Sequence, residues 1–275
     1  RCVIVDQNRL PYGKIEDGLP RWHEKQRLSE YSKIDEVMAH DLVDFIPLTK
    51  VGDHIDFEEI YDMNWSCVYF ANGAWRDRLF PIKGIEEFSN FYYQNPFVYW
   101  FNHYHEDNYN GPEVVIQDNI LVVGGGLASI DVCKITQLEL VKEKIQSRVK
   151  NVDVIAMEHK GIPRYLEEHN IDYNSLGIKG TTLIYRRDIE NMPLTTIPFD
   201  AKPEMVEKRR QARRKILNNT QKKFLFNVLE CTQPTALNIV EGNLEGLEII
   251  KNKIVDNQPI PIDDSNQILK GNIVI

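Results

Sequence analysis

The chain has 275 residues, 42% apolar and 27% charged, a composition that builds a packed core and excludes a disordered tail or a fibre. Its length fits two domains or one large one. Thirty-three Lys+Arg against forty-one Asp+Glu give a net charge of −8, which argues against a general nucleic-acid coat.

In chain order, Val3-Ile4-Val5 reads as a buried strand ending in Asp6. Residues 58–62 read as a short helix, and 65–70 as a strand followed by Ala71-Asn72-Gly73-Ala74. The turn-rich stretch 108–112 is the expected boundary between two domains, 1–112 and 113–275. Ile120 to Val123 is an apolar strand, Gly124-Gly125-Gly126 a tight turn, and 127–140 a helix with Ile130, Val132, Ile135 and Leu138 inward. A second helix is expected over 139–148, a mixed insertion over 157–176 and a strand over 181–185 ending in Arg186-Arg187. Residues 203–219 read as a helix, with Pro203 in its first turn. Short strands follow at 225–229, 237–240 and 247–250, punctuated by Pro234 and a turn at Glu241-Gly242-Asn243, and a last one at 273–275. These are the parts of a parallel α/β sheet with helical crossovers, with two nucleotide-binding layouts in series. The chain begins and ends inside strands, so a segment of a longer polypeptide is expected.

No apolar run approaches the roughly 18 residues that cross a bilayer, so no membrane role is expected. The cysteines Cys2, Cys67, Cys133 and Cys231 form no C-x-x-C pair. A redox disulfide, a zinc ribbon and a clustered iron–sulfur site therefore lack support, and a reduced, cytoplasmic setting is expected.

Gly124-x-Gly126-x-x-Ser129 is a relaxed form of G-x-G-x-x-G. Small residues there permit a tight turn, let backbone approach a pyrophosphate and allow helix to pack on strand. The helix N-terminus then favours the phosphate charge. The residue type after the second strand selects the nucleotide. A carboxylate accepts hydrogen bonds from ribose hydroxyls, whereas arginines pair with a 2′-phosphate. Arg186-Arg187 therefore point to NADPH, and Asp6 suits a dinucleotide without a 2′-phosphate, such as FAD. A strand ending in such an acid ordinarily follows a glycine turn and helix within about 30 residues. That piece would lie upstream of Arg1.

These residues resemble the two-dinucleotide-domain flavoprotein oxidoreductases. Within the pyridine nucleotide-disulfide oxidoreductase superfamily the chain is most similar to the adrenodoxin reductase and glutamate synthase small-subunit branch, without a redox disulfide. The resemblance is carried by Asp6 with Pro11-Tyr12-Gly13 and Gly18-Leu19-Pro20, by Val51-Gly52-Asp53 and by Ala71-Asn72-Gly73-Ala74. In the second half it is carried by Gly124 to Asp131 and by Tyr185-Arg186-Arg187 with Asn191-Met192-Pro193. It implies two Rossmann-like domains in series, the first incomplete. It implies that Asp6 binds the FAD ribose, that Gly13, Lys14 and Val51 lie along FAD, and that Ala71, Asn72 and Gly73 close the FAD half. It places Gly124 in the NADPH turn and Gly125, Gly126, Leu127 and Ala128 on the pyrophosphate. Arg186 and Arg187 would hold the 2′-phosphate, and Glu204 would face the nicotinamide-side loop. Lys14 and Asn72 depart from the family's residues at those places.

The activity implied is hydride transfer from NADPH to flavin, the protein aligning the two rings and needing no acid or base for the hydride step. Electrons would pass on to an external acceptor, such as a ferredoxin-like or iron–sulfur partner. A second reading is a non-catalytic nucleotide-binding regulatory or scaffold subunit. Three further features have plain readings. His103-x-His105 with Glu106 matches no metal motif, the aromatics of 88–104 suit packing, and the basic run 208–215 suits a solvated helix face or an acidic electron carrier.

Overall fold

The computed structural model describes every residue from Arg1 to Ile275. Two compact units divide the chain, Arg1–Asp77 with Val98–Tyr109, and Arg78–Phe97 with Asn110–Ile275. Within the segment expected as the first domain, Arg78–Phe97 groups instead with the second unit. Its side chains explain this, since Ile85 and Phe91 enter a buried cluster with Leu121, Ile184, Leu247 and Val274.

The first unit holds strand β1 (Cys2–Val5), helices α1 (Lys14–Asp17) and α2 (Glu24–Met38), strand β2 (Val43–Ile46) and helix α3 (Phe57–Asp62). β1 and β2 pair in parallel, Cys2 opposite Val43 and Val5 opposite Ile46, so α2 is the crossover between them. Asp56 and Glu59 form a capping box that starts α3. The expected strand over 65–70 does not form. The run pairs with no neighbour, and an apolar sequence without a ladder partner gains nothing from extension. Tyr69 and Phe70 are instead 87% and 69% exposed.

Helix α4 (Gln94–His103) carries the chain from second-unit to first-unit residues. Its buried Asn102 fixes the loop after α1. Nδ2 donates to the carbonyls of Glu16 and Leu19, both at 3.1 Å, and Oδ1 accepts from the Arg21 amide at 2.9 Å.

The second unit begins its sheet with β3 (Ile120–Val123), followed by α5 (Leu127–Ile145), α6 (Val154–Lys160), α7 (Ile162–Glu168), β4 (Thr181–Ile184), α8 (Pro203–Phe224) and β5 (Asn227–Leu229). Then come β6 (Thr232–Val240), β7 (Asn243–Val255), β8 (Gln258–Pro261), β9 (Gln267–Lys270) and β10 (Ile273–Val274). The parallel sheet has the order β10-β3-β4-β5. Chain direction along the sheet therefore reverses between β3 and β10, and ligands of open α/β sheets bind beyond the strand ends at such a point. β6 to β9 form an antiparallel layer inserted before β10.

One continuous α5 replaces the two helices expected over 127–148. Ile130, Val132, Ile135 and Leu138 are buried, as their spacing requires. The helix packs on β3 and β4 and also against α6 and α8, which is why Thr136, Gln137 and Glu139 are buried with them. The insertion folds as α6 and α7. Asp153 caps α6 through the amides of Ile155 and Ala156 at 2.9 Å, and Gly161, at φ 87°, ends one helix and opens the next. Pro234 sits inside β6 at a shift of register, where the ladder is already broken. Glu241 and Gly242 both take positive φ, which gives the β6–β7 hairpin its tight turn.

Candidate functional site

The glycine turn leaves β3 at the strand-order reversal and opens α5. Each glycine has its own reason. A methyl group at Gly124 would overlap Oγ of Ser129, so Gly124 lets the first turn of α5 close onto the strand end. The close helix–strand packing expected of the motif's third position is thus a contact between Gly124 and Ser129. A methyl group at Gly125 would overlap the Tyr185 ring. One at Gly126 would meet nothing within 4 Å. Gly126 is the N-cap of α5 and supplies no capping side chain. The amides of Gly125, Gly126, Leu127 and Ala128 have no acceptor within the chain, and Leu127 and Ala128 are exposed. A 19-residue helix thus presents unpaired donors and its positive dipole end to open space. That arrangement can take an anion such as a pyrophosphate.

On the adjacent strand, β4 runs into Tyr185, Arg186 and Arg187. Backbone contacts hold the segment on both sides. Tyr185 N donates to Leu229 O at 3.0 Å, Thr232 N donates to Tyr185 O at 2.9 Å, and buried Asn252 donates through Nδ2 to Arg186 O at 2.9 Å. Arg186 is exposed. Arg187 donates through Nε to the Tyr185 hydroxyl at 3.1 Å, and that hydroxyl donates to Asn191 O at 2.9 Å. Nearby carboxylates are already engaged. Asp188 accepts from the Asn191 amide and side chain, Glu230 from the Ile189 amide, and Glu190 pairs with Arg214 at 3.2 Å.

Arg213 belongs to the basic run of α8, which its sequence suits to a solvated face or to docking an acidic electron carrier. Arg213 itself is buried. It donates to Glu190 O at 2.9 Å and Thr195 O at 2.7 Å, pinning the loop that follows the arginine pair. Burial lowers its pKa, and Arg210 and Arg187 push the same way. Only the presence of a basic run was legible, not which arginine turned inward. Glu204 lies exposed in the first turn of α8.

Asp131, second-turn residue of α5, is 80% buried as a side chain. Burial raises its pKa to about 6, against the opposing pull of Lys134 at 3.6 Å. Lys134 in turn pairs with Glu158 of α6 at 2.7 Å, which joins the insertion to α5.

The first unit carries the remaining candidate residues. Asp6 O accepts from the Thr49 amide at 2.8 Å, bringing Asp6 close to the loop that leads to Val51. One oxygen of its carboxylate accepts from the Asn8 amide at 2.7 Å. Gly13, at φ 52°, caps α1, and Lys14 extends over the Trp75 ring at 4.6 Å. Ala71, Asn72 and Gly73 are exposed. Gly13 and Gly73 both take positive φ and face open space. Burial lowers the Lys14 pKa. This unit contains an acid and open glycines, and no glycine turn that opens a long helix. His103 is engaged by Glu106 at 2.8 Å and by Asp17 at 3.6 Å, and no group of three His, Cys, Asp or Glu side chains is arranged to hold a metal ion. No helix is long and apolar enough to cross a membrane.

No family model matches the chain, and no curated protein does. Solved structures do. FprA of Mycobacterium tuberculosis in complex with NADPH superposes with a TM-score of 0.68 at 17% identity, over 99% of this chain and 62% of FprA. A second FprA structure, of the oxidoreductase in which a covalent modification of NADP+ was seen, matches with the same values. A point variant of FprA matches at 18% identity with the same coverage and TM-score. The chain thus spans less than two thirds of FprA's length. Over nearly all of its own length it has the fold of that oxidoreductase, two Rossmann-like α/β units in series.

Proposed function

We propose that the chain is the nucleotide-binding portion of an FAD-dependent oxidoreductase that takes a hydride from NADPH and passes electrons to an acceptor. The observation that carries this reading is the pairing of two sites on adjacent strands. The uncapped turn Gly124-Gly125-Gly126 lies beyond β3, and Arg186-Arg187 lie beyond β4. A pyrophosphate fits the first and a 2′-phosphate the second. FprA, with the same fold, has been solved with NADPH bound.

In this reading Gly125, Gly126, Leu127 and Ala128 donate backbone N–H groups to the pyrophosphate, with Gly124 keeping the turn closed. Arg186 and Arg187 select the 2′-phosphate, and Glu204 faces the nicotinamide side. Asp6 accepts from ribose hydroxyls of FAD, and Gly13, Lys14, Val51, Ala71, Asn72 and Gly73 line the flavin side. When bound, the two cofactors supply hydride donor and acceptor, and the chain's residues hold and orient them. The acceptor is a ferredoxin-like or iron–sulfur protein, for which the exposed Lys208, Arg209 and Lys215 of α8 offer complementary charge.

The test compares NADPH and NADH affinity in the full-length protein and in Arg186→Ala/Arg187→Ala. Each lost charged contact is worth about 1.5–3 kcal/mol, so the preference for NADPH should fall at least about tenfold. An unchanged preference would overturn the assignment of the arginines.

A further inference from the structure

We infer that Tyr185 is a positioning residue that ties the glycine turn to the arginine pair, so that one side chain sets the geometry of both anion sites. The inference rests on the nucleotide reading above. The ring of Tyr185 lies against Gly125, where even a methyl group would overlap it. The turn therefore takes its shape against this ring. The hydroxyl has one proton, and it is committed to Asn191 O at 2.9 Å. The oxygen can then only accept from Arg187, and it does so from Nε at 3.1 Å. Holding the guanidinium by Nε leaves both η nitrogens without a partner in the chain. Those two parallel N–H groups form the fork that binds a phosphate bidentately.

The surroundings make this arrangement stiff. Tyr185 is 7% exposed and its backbone is bonded on both sides. Asn191, which takes the hydroxyl proton, is itself fixed by Asp188, whose carboxylate accepts from its amide at 2.9 Å and from its side chain. Arg213 anchors the rest of that loop. Asp188 is thus turned to Asn191 and away from Arg187, so the acid next in sequence does not neutralise the fork. Removing the hydroxyl leaves ring and turn in place and frees Arg187 to swing. The pyrophosphate site is kept and the 2′-phosphate site is loosened.

The experiment uses the full-length protein and three variants, Tyr185→Phe, Arg187→Ala and the double variant. Affinities for 2′,5′-ADP, 5′-ADP, NADP+ and NAD+ are measured by calorimetry. Tyr185→Phe should weaken the two 2′-phosphorylated ligands by about tenfold, as for a hydrogen bond to a charged group. It should leave 5′-ADP and NAD+ within twofold. In the Arg187→Ala background the same change should cost nothing further, because the hydroxyl acts through that arginine. A uniform loss across all four ligands would show a merely structural role and overturn the inference. So would an additive effect in the double variant. Arg187→Ala separates the two levels. If it does not alter 2′-phosphate selectivity, the nucleotide reading fails. If it does and Tyr185→Phe does not, only the role of Tyr185 fails.

Discussion

Alanine at Gly126 and at Gly125 should give opposite separations of folding from binding. At Gly126 the new methyl group meets no atom within 4 Å, and the backbone, at φ −89° and ψ 176°, is open to any residue. Replacing an N-cap glycine by alanine costs about 0.5–1 kcal/mol, and the stiffer unfolded chain returns about 0.4–1 kcal/mol. The melting temperature should stay within about 2 °C, since each kcal/mol moves a unit of this size by about 2–4 °C. The methyl group does occupy the space where a phosphate approaches the amides, so affinity for NADP+ should fall tenfold or more, about 1.4 kcal/mol. At Gly125 the methyl group overlaps the Tyr185 ring, and even the more distant Cζ is 2.9 Å away, against about 3.5–4.0 Å for a carbon contact. Because Tyr185 is held by its backbone and hydroxyl, the ring has little room to retreat. Overpacking of about 1–3 kcal/mol follows, a loss of several degrees before any ligand is added. Thermal melts of the full-length variants with and without NADP+ read both quantities. If alanine at Gly126 melts as low as alanine at Gly125, or keeps the full ligand-induced shift, the open space beyond α5 is not where the phosphate sits.

Two titrations test the electrostatics. Asp17 and Glu106 raise the His103 pKa above its ordinary 6.5, so the charged form is favoured in the folded state. The stability that His103 contributes is therefore fully present below about pH 6.5 and lost as pH rises through the folded value. Hydrogen exchange of amides 14–19 should speed up over that range and lose its pH dependence in His103→Gln; an unchanged profile in the variant would refute the role. Asp131 has the opposite consequence of a raised pKa, because its charged form is the buried liability. Its pKa moves from 3.8 to about 6, so stability is full below 3.8 and falls as pH rises through that window. The loss amounts to about 3 kcal/mol near neutrality. Asp131→Asn should raise the melting temperature at pH 7 and lose most of that gain at pH 4; equal melting temperatures at pH 7 would contradict it.

The parallel core of the second unit was legible because its central strands β3 and β4 are largely buried on both faces. Ile120 to Val123 reads as an unbroken apolar run, 181–185 as a shorter apolar stretch behind two β-branched threonines, and Gly124 to Gly126 mark the only turn of that kind. The error at 65–70 has the converse cause. Apolar content marks a strand only where another strand accepts its hydrogen bonds, and none does there. The α6–α7 pair escaped notice because each is seven residues long and Gly161 and Pro163 interrupt the pattern between them. Pro234 looked like punctuation and lies inside a strand, which the register shift beside it permits. At the site, residue types revealed the turn and the arginine pair. The contacts between them were hidden, since Tyr185 meets Gly125 only once β3 and β4 are side by side. Arg213 was hidden for a related reason, because its acceptors are carbonyls of a distant loop.

The most direct test of the central claim is an anaerobic titration of the full-length protein with NADPH, followed by visible absorbance. The account predicts a bound flavin whose oxidised band is bleached by NADPH, with NADH much less effective and the difference narrowed in Arg186→Ala/Arg187→Ala. A colourless protein that still binds NADP(H) would contradict it and support a nucleotide-binding subunit without turnover.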